Sequence, residues 1–206
     1  TTINNGSLFM NTKIYTGDSA SSRTIAGIGF EPSLTWNKPR TTANDHQWVD
    51  AVRGGGKVIS SNLADAEYTA GNTILSFNSD GFTCGDGASV NANGVDYVSW
   101  NWKANGAGSA NTDGSINTTY TSANTTAGFS IIKYAGTGSS GTIGHGLSAT
   151  PKVLIIKEID GTESWRVWHR DAPNYSTTAL SLNSSSAEFS QTNWIGNKVF
   201  LNFHPT

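Results

Sequence analysis

The chain has 206 residues, of which 14% are charged, and its formal net charge is −2. That charged fraction is low beside the roughly 25% of an average soluble protein, and the abundant Gly, Ser, Thr and Asn favour strands and turns over helices. The lack of a Lys/Arg cluster argues against a nucleic acid partner, and the lack of an apolar run near ~18 residues argues against membrane insertion.

The first half of the chain is predicted to form short β-strands. Asp80-Gly81 favours the tight turn of a hairpin, and apolar residues alternate with polar ones in several of the runs. Short strands at intervals of about 8–12 residues are typical of a β-sandwich or a β-barrel. The predicted strands cover residues 7–16, 23–30, 34–38, 46–52, 58–60, 74–78, 82–84 and 97–103.

A segment nearly without large apolar side chains follows. Residues 106–128 are rich in Gly, Ser, Thr and Asn, with Ile116 and Tyr120 as the exceptions that would pin the segment to a surface. This composition is typical of a linker. The predicted organisation is therefore a first unit over residues 1–105, a linker over 106–128 and a second unit over 129–206.

Residues 15–38 recur, without a gap, as residues 134–157. Pro32 matches Pro151 at an offset of 119 (151 − 32 = 119), and since proline lacks an N–H and suits the first position of a strand, each copy should continue into a strand. An internal repeat indicates one structural unit used twice. The other matched pairs are Tyr15 and Tyr134, Gly17 and Gly136, Gly27 and Gly146, and Lys38 and Lys157.

The second copy is shorter at its end. Residues 165–170 still match 46–51 at the offset of 119, but residues 199–203 match 98–102 at an offset of 101 (199 − 98 = 101). The second copy has thus lost 18 residues (119 − 101 = 18) before its closing strand, and the lost part includes the counterpart of the F-N-S-D-G-F hairpin. The second unit is predicted to be a trimmed but closed version of the first.

The residue types that commonly act in catalysis or bind metals do not occur at any recognised spacing. Cys84 is the only cysteine, the four histidines lack a zinc pattern, and no catalytic serine motif occurs. The run at 53–57 departs from a phosphate-binding loop and the loop at 86–96 departs from an EF-hand, so both are interpreted as turns. No catalytic residue, metal ligand or cofactor is assigned. A glycosidase pair would have to come from carboxylates such as Asp45, Asp50, Glu158 and Glu163.

Tryptophans are the remaining candidates for a binding site, because aromatic faces stack on sugars. Four of them alternate with polar residues in predicted strands, which indicates a place in the core. These are Trp36, Trp48, Trp100 and Trp102, and Ile155 is the counterpart of the first. The candidate glycan-binding or partner-binding set consists of Trp165, Trp168, Tyr175 and Trp194.

Several distinctive motifs occur in order along the first unit, among them G-I-G-F-E-P-S-L-T-W-N-K, S-S-N-L-A-D-A-E, S-F-N-S-D-G-F-T and Y-V-S-W-N-W-K-A. In these motifs the chain resembles an uncharacterised repeat family of virion proteins from tailed phages, especially marine ones. The resemblance covers most of residues 13–105 and, more weakly, 129–203. Thr35 and Asn37 are more polar than is usual in that strand of the family.

The predicted fold is all-β, with two related antiparallel β-sandwich units in tandem, of the jelly-roll or concanavalin-like kind that the resemblance implies. The expected function is that of a non-enzymatic structural protein on the surface of a tailed-phage virion, as a head decoration or a tail or fibre component in contact with the host. Expected partners are other virion proteins, further copies of the chain (a trimer is favoured) and a host surface glycan. The alternative is a carbohydrate-binding module of an adhesin or a polysaccharide-degrading enzyme, and a depolymerase-like hydrolase is the third class.

Overall fold

The computed structural model describes residues 3, 5–174 and 176–190. Within these residues the chain is all-β, as predicted, apart from the 3-10 turn Gly6–Leu8. The strands of the first half are β1 (Met10–Thr16), β2 (Arg23–Ala26), β3 (Leu34–Pro39), β4 (Gln47–Asp50), β5 (Lys57–Val58), β6 (Tyr68–Thr69), β7 (Ile74–Asn78), β8 (Gly81–Cys84) and β9 (Asp96–Trp102). Those of the second half are β10 (Thr118–Asn124), β11 (Phe129–Tyr134), β12 (Val153–Ile156), β13 (Arg166–His169), β14 (Thr178–Ser181) and β15 (Phe189–Ser190).

The first half is a two-layer antiparallel sandwich. One layer has the strand order β1-β9-β3-β4 and the other has the order β2-β8-β7, while β5 and β6 form a separate hairpin beside β4. Apolar side chains from both layers meet between them, and each fully buried one stabilises the fold by about 1.5–3 kcal/mol. This core cluster comprises Tyr15, Ile25, Ile28, Phe30, Val49, Val58, Ile74, Phe82, Cys84, Val90 and Tyr97.

Polar side chains also lie on the inner face of the four-stranded layer. Thr35, Asn37 and Asn101 are fully buried there. Thr35 Oγ1 donates to Asn101 Oδ1 at 2.9 Å, and the Tyr15 hydroxyl is shared between Asn37 Oδ1 (3.0 Å) and the Val90 carbonyl oxygen (2.7 Å). Because buried polar groups cost little when they are hydrogen-bonded, this face is stable without being apolar.

The four tryptophans predicted to fill the core lie on the opposite face of the same sheet, so that prediction is wrong. Along β9 the buried residues are Tyr97, Ser99 and Asn101, and the alternating Trp100 and Trp102 are only partly buried. Alternation in the sequence gives the period of a strand, but it does not say which of the two faces meets the core. The size of the tryptophan side chains led to the prediction that their face is buried, but the structure buries the hydrogen-bonded polar face.

The second half repeats strand pairings of the first half, register included. Leu34 pairs with Asp50 where β3 meets β4, and Val153 pairs with His169 where β12 meets β13, so both partners are shifted by 119 (153 − 34 and 169 − 50). The hairpin of β14 and β15 repeats that of β5 and β6 at an offset of 121 (178 − 57). Two residues have therefore been added between β13 and β14, where a loop accommodates them.

The hydrogen bonds of the loops are conserved between the halves as well. The Lys38 ammonium donates to two carbonyl oxygens of its own turn, and the Lys157 ammonium does the same at the equivalent positions. The backbone N–H of Trp165 binds Asn183 Oδ1 as that of His46 binds Asn62 Oδ1. The internal repeat is thus a repeat of structure.

Two features depart from the predicted organisation. The segment predicted as a linker contains β10, which pairs with β11, and Ile116 is buried. Residues 142–145, the counterpart of β2 at an offset of 119 (142 − 23), form no strand. The predicted closing strand at 199–203 lies outside the described residues.

We predict that Asn37→Ala lowers the free energy of unfolding by about 1–3 kcal/mol, because it removes two hydrogen bonds. The Tyr15 hydroxyl loses one of its two partners. The Ser89 carbonyl oxygen loses the Asn37 amide, which donates to it at 2.9 Å. Exposed Asn93 provides the control, since Asn93→Ala should change the free energy by less than about 0.5 kcal/mol. Urea unfolding followed by circular dichroism measures both. Equal losses in the two variants would contradict a structural role for the polar face.

A second prediction concerns Cys84, which is fully buried and whose pKa burial raises to about 11. At pH 8 only about one thiol in a thousand is ionised at that pKa, so iodoacetamide should leave the native chain unlabelled for hours and label the urea-unfolded chain within minutes. Because the folded state favours the protonated thiol, its stabilising contribution is complete below the unfolded pKa near ~8.5 and is lost as the pH rises through about 11. Rapid labelling of the native chain would show that Cys84 is accessible.

Candidate functional site: the aromatic cleft between the halves

The outer face of the four-stranded layer carries a cluster of four tryptophans, Trp36, Trp48, Trp100 and Trp102, which we call the tryptophan face. Trp36 is its centre, because β3 lies between β9 and β4, and its ring centroid is 5.3 Å from that of Trp48 and 5.7 Å from that of Trp100. Such cross-strand aromatic pairs contribute about 0.5–1.5 kcal/mol beyond their buried area. Trp36 Nε1 also donates to His46 Nδ1 at 2.9 Å, and partial burial lowers the pKa of His46.

The second half packs on the tryptophan face. The Trp165 ring lies 5.2 Å from that of Trp48 and is only 3% exposed, and Trp165 Nε1 lies 3.1 Å from each of two carbonyl oxygens of the first half, those of Ser60 and Leu63. At the other end of the face, the Phe129 ring stacks on Trp102 with 6.2 Å between centroids. These contacts hold the two halves together.

A buried ion network lies at the margin of this contact. Arg53 Nε binds Asp50 Oδ2 at 2.7 Å, and its guanidinium also binds Glu67 Oε2 at 3.0 Å. The backbone N–H of Glu67 donates to the Ile159 carbonyl oxygen of the second half. Arg53 thus neutralises both carboxylates, and Asp50, one of the carboxylates considered for a glycosidase pair, is held in a structural ion pair.

A cleft of about 1420 Å³ remains between the halves. One wall is formed by Trp36, Trp48 and Trp102 of the tryptophan face, and the other by β11 and β12, including Ile131, Val153 and Ile155. Val153 is 47% exposed and Ile155 is 40% exposed, which contradicts the prediction that Ile155 lies in the core. The two alternate along β12, so they present one apolar strip to the cleft.

Of the predicted glycan-binding set, the structure describes Trp165 and Trp168. The Trp165 ring is packed against Trp48 and is not available to stack on a sugar. Trp168 is half-buried on β13, where it pairs with Leu154. Tyr175 and Trp194 lie outside the described residues.

The aromatic residues that do line the cleft escaped the prediction because their alternation was assigned to the core. Four of them are Trp36, Trp48, Trp102 and Phe129. The available signal was the polarity of their neighbours Thr35 and Asn37, which in this chain face inward.

The loop at 86–96, which was considered for metal binding, is joined to the first sandwich by hydrogen bonds of Asn91. In the loop at 86–96, the Asn91 amide donates to Asp18 Oδ1 at 2.9 Å and accepts from the Arg23 guanidinium. Among residues 3, 5–174 and 176–190, no three His, Cys, Asp or Glu side chains are grouped as a metal site. In the same residues no helix is long and apolar enough to cross a membrane.

We predict that Trp165 couples the two halves. Trp165→Ala should lower the free energy of unfolding by about 3–5 kcal/mol, and Trp165→Phe, which keeps the ring contact but removes the Nε1 donor, should cost about 1–3 kcal/mol. Guanidinium unfolding provides the measurement. Half-buried Trp168 is the matched control, and a loss for Trp168→Ala as large as that for Trp165→Ala would count against the coupling.

A family model matches residues 5–202, so the match runs through both halves and the segment between them. A search of curated proteins and a search of solved structures found no match. The chain therefore belongs to the family described as Domain of unknown function (DUF7483).

Proposed function

We propose that the chain is a non-enzymatic structural protein of a tailed-phage virion, positioned on the particle surface as a head decoration or as a tail or fibre component. The motifs of residues 13–105, which resemble a repeat family of such virion proteins, support the assignment to a particle. The observation that supports a role in assembly is the open edge of the first sandwich.

Strand β1 forms that edge. It lies at the end of the four-stranded layer with seven residues, and β9 is its one partner among the described strands. Ile14 on this strand is 60% exposed and the neighbouring Leu8 is 53% exposed. A long edge strand with exposed apolar side chains is a liability for a free monomer, since its unpaired N–H and C=O groups accept other strands. A neighbouring subunit would cover it.

The partners proposed for this edge are other virion proteins or further copies of the chain. Tailed-phage surface proteins are commonly trimeric, which favours a homotrimer. A formal net charge of −2 on 206 residues produces little repulsion between closely packed copies.

The second candidate function is glycan binding, with a host surface glycan as the ligand, and Trp168 is the residue that favours it. Its counterpart in the first half, Val49, is fully buried beneath the layer β2-β8-β7. No equivalent layer covers β13 among the described residues, and Trp168 is half-buried. A glycan array tests this function: binding to one glycan class that Trp168→Ala abolishes would favour it over a purely structural role.

The assembly role predicts a specific effect at β1. Ile14→Lys should place a charge on the edge and reduce incorporation into particles at least tenfold, as measured by immunoblot of purified virions. Leu180 is the matched control, because it is also exposed (41%) but lies on β14, between two other strands.

Immunogold labelling of wild-type particles and light scattering on the purified chain complete the test. We expect the wild-type particles to be labelled. We expect the purified chain to be an oligomer, and Ile14→Lys to dissociate it. A stable monomer absent from virions would refute the proposal, as would an equal loss of incorporation in Leu180→Lys.

A further inference from the structure

His46 adjoins the tryptophan face and contacts its central residue. Trp36 Nε1 donates to His46 Nδ1 at 2.9 Å, and the centroids of the two rings are 5.8 Å apart. An imidazole nitrogen accepts a hydrogen bond only while it carries no proton. The contact therefore requires a neutral His46 with its proton on Nε2.

We propose that His46 is a pH sensor for the contact between the two halves: a proton on its Nδ1 removes the hydrogen bond from Trp36 and loosens the tryptophan face on which the second half packs. With both imidazole nitrogens protonated, two N–H groups would point at each other, so one of the two rings has to turn away. Histidine ordinarily changes its charge between about pH 5 and 8, so the sensor responds to mild acid.

One route from His46 to the second half passes through aromatic rings. The Trp36 ring lies 5.3 Å from that of Trp48, and the Trp48 ring lies 5.2 Å from that of Trp165, between centroids. Side chains packed at the density of a protein interior transmit a displacement to their neighbours. A turn of Trp36 therefore disturbs the surface against which Trp165 is packed.

A second route passes through the loop at 60–63. This loop provides both carbonyl oxygens that lie 3.1 Å from Trp165 Nε1. In the same loop, Asn62 Oδ1 accepts from the backbone N–H of His46 at 3.0 Å, and the Asn62 amide donates to Asp45 Oδ1 at 2.7 Å. The loop that holds the indole of the second half is thus attached to the segment that carries the sensor.

The groups around His46 favour its neutral form. Burial of part of the ring lowers the pKa of His46, the Lys38 ammonium on β3 lowers it further, and the neighbouring Asp45 carboxylate opposes both. Its hydrogen-bond partners Trp36 and Asn62 do not titrate. A charged His46 attracts the Asp45 carboxylate, which is also the acceptor of the Asn62 amide, so protonation acts on the loop as well as on the rings.

The sign of the pH dependence follows from this preference. The folded chain binds the proton of His46 more weakly than the unfolded chain does, because the pKa of His46 is lowered by folding. The stabilising contribution of the neutral imidazole is therefore complete above the unfolded pKa near ~6.5. It is lost as the pH falls through the lower pKa of the folded state.

The indole N–H signals in proton–nitrogen NMR spectra of the unmodified full chain provide the first test. Between about pH 7.5 and about pH 5, the Trp36 signal should shift together with the titration of the His46 imidazole. The Trp36→Phe variant identifies this signal. A Trp36 signal that does not follow the titration of His46 would overturn the proposal, and this result needs no altered chain to stay folded at low pH.

The His46→Asn variant is the matched comparison for the contact between the halves. Asparagine carries Oδ1 near the place of the imidazole Nδ1, so it can accept from Trp36 at every pH. Near pH 5 the Trp165 indole proton should exchange with solvent at least about tenfold faster in the wild type than in His46→Asn. Equal exchange rates in the two chains would show that protonation does not reach the second half.

Urea midpoints separate the sensor from general effects of acid. The wild-type midpoint should fall further than that of His46→Asn between about pH 7.5 and about pH 5. His46→Phe, which has no acceptor, should have a lowered midpoint already at the higher pH. The exposed His169 is the control, and His169→Asn should respond to acid as the wild type does. An equal fall in the wild type and in His46→Asn would overturn the role of His46.

Discussion

The contact between the tryptophan face and the second half holds this structure together. Four large aromatic side chains on the outer face of one sheet would expose a broad apolar patch if that sheet faced water, and soluble monomers seldom tolerate patches of that kind. Trp165 and Phe129 cover the two ends of the patch, and the Trp165 indole nitrogen reaches backbone oxygens of the first half. The two halves are therefore joined by a third layer of packing, in addition to the two layers of the first sandwich.

Much of the strand arrangement could be predicted from the sequence because the chain contains two copies of one unit, which can be compared with each other. The matching prolines and lysines of the two copies located β3 and β12, with β3 predicted over 34–38 and found over Leu34–Pro39, and the paired strands β4 and β13 followed at the same offset. A repeat preserves register because a slip of one residue would turn every side chain of a strand to the wrong face. Strand β10 was missed because Thr118–Asn124 has the composition of a loop, and its pairing with β11 supplies the stability that its side chains do not.

The facing of the strands and the candidate site could not be predicted in the same way. A strand such as Leu34–Pro39 offers two faces, one with Trp36 and one with Thr35 and Asn37, and size alone selects the first for the core. The structure selects the second because its amides and hydroxyls find partners on other strands of the same layer and on the loop at 86–96, in contacts between residues far apart in sequence. The cleft depends on the same choice, since its aromatic wall exists only because the tryptophans face outward.

The asymmetry between the halves has a consequence for biosynthesis. All strands of the two-layer core of the first half lie before residue 103. Strands β12 to β15 pack on this half without an equivalent second layer among the described residues. Domains fold as they emerge, at about 5–20 residues per second of translation. Synthesis of residues 103–206, which are 104 residues (206 − 102), therefore takes about 5–20 s, and during that time a folded first half displays its tryptophans on the ribosome. Slower translation past residue 102 lengthens the interval in which that apolar face is uncovered, so we expect the yield in the cell to depend on the speed of translation there.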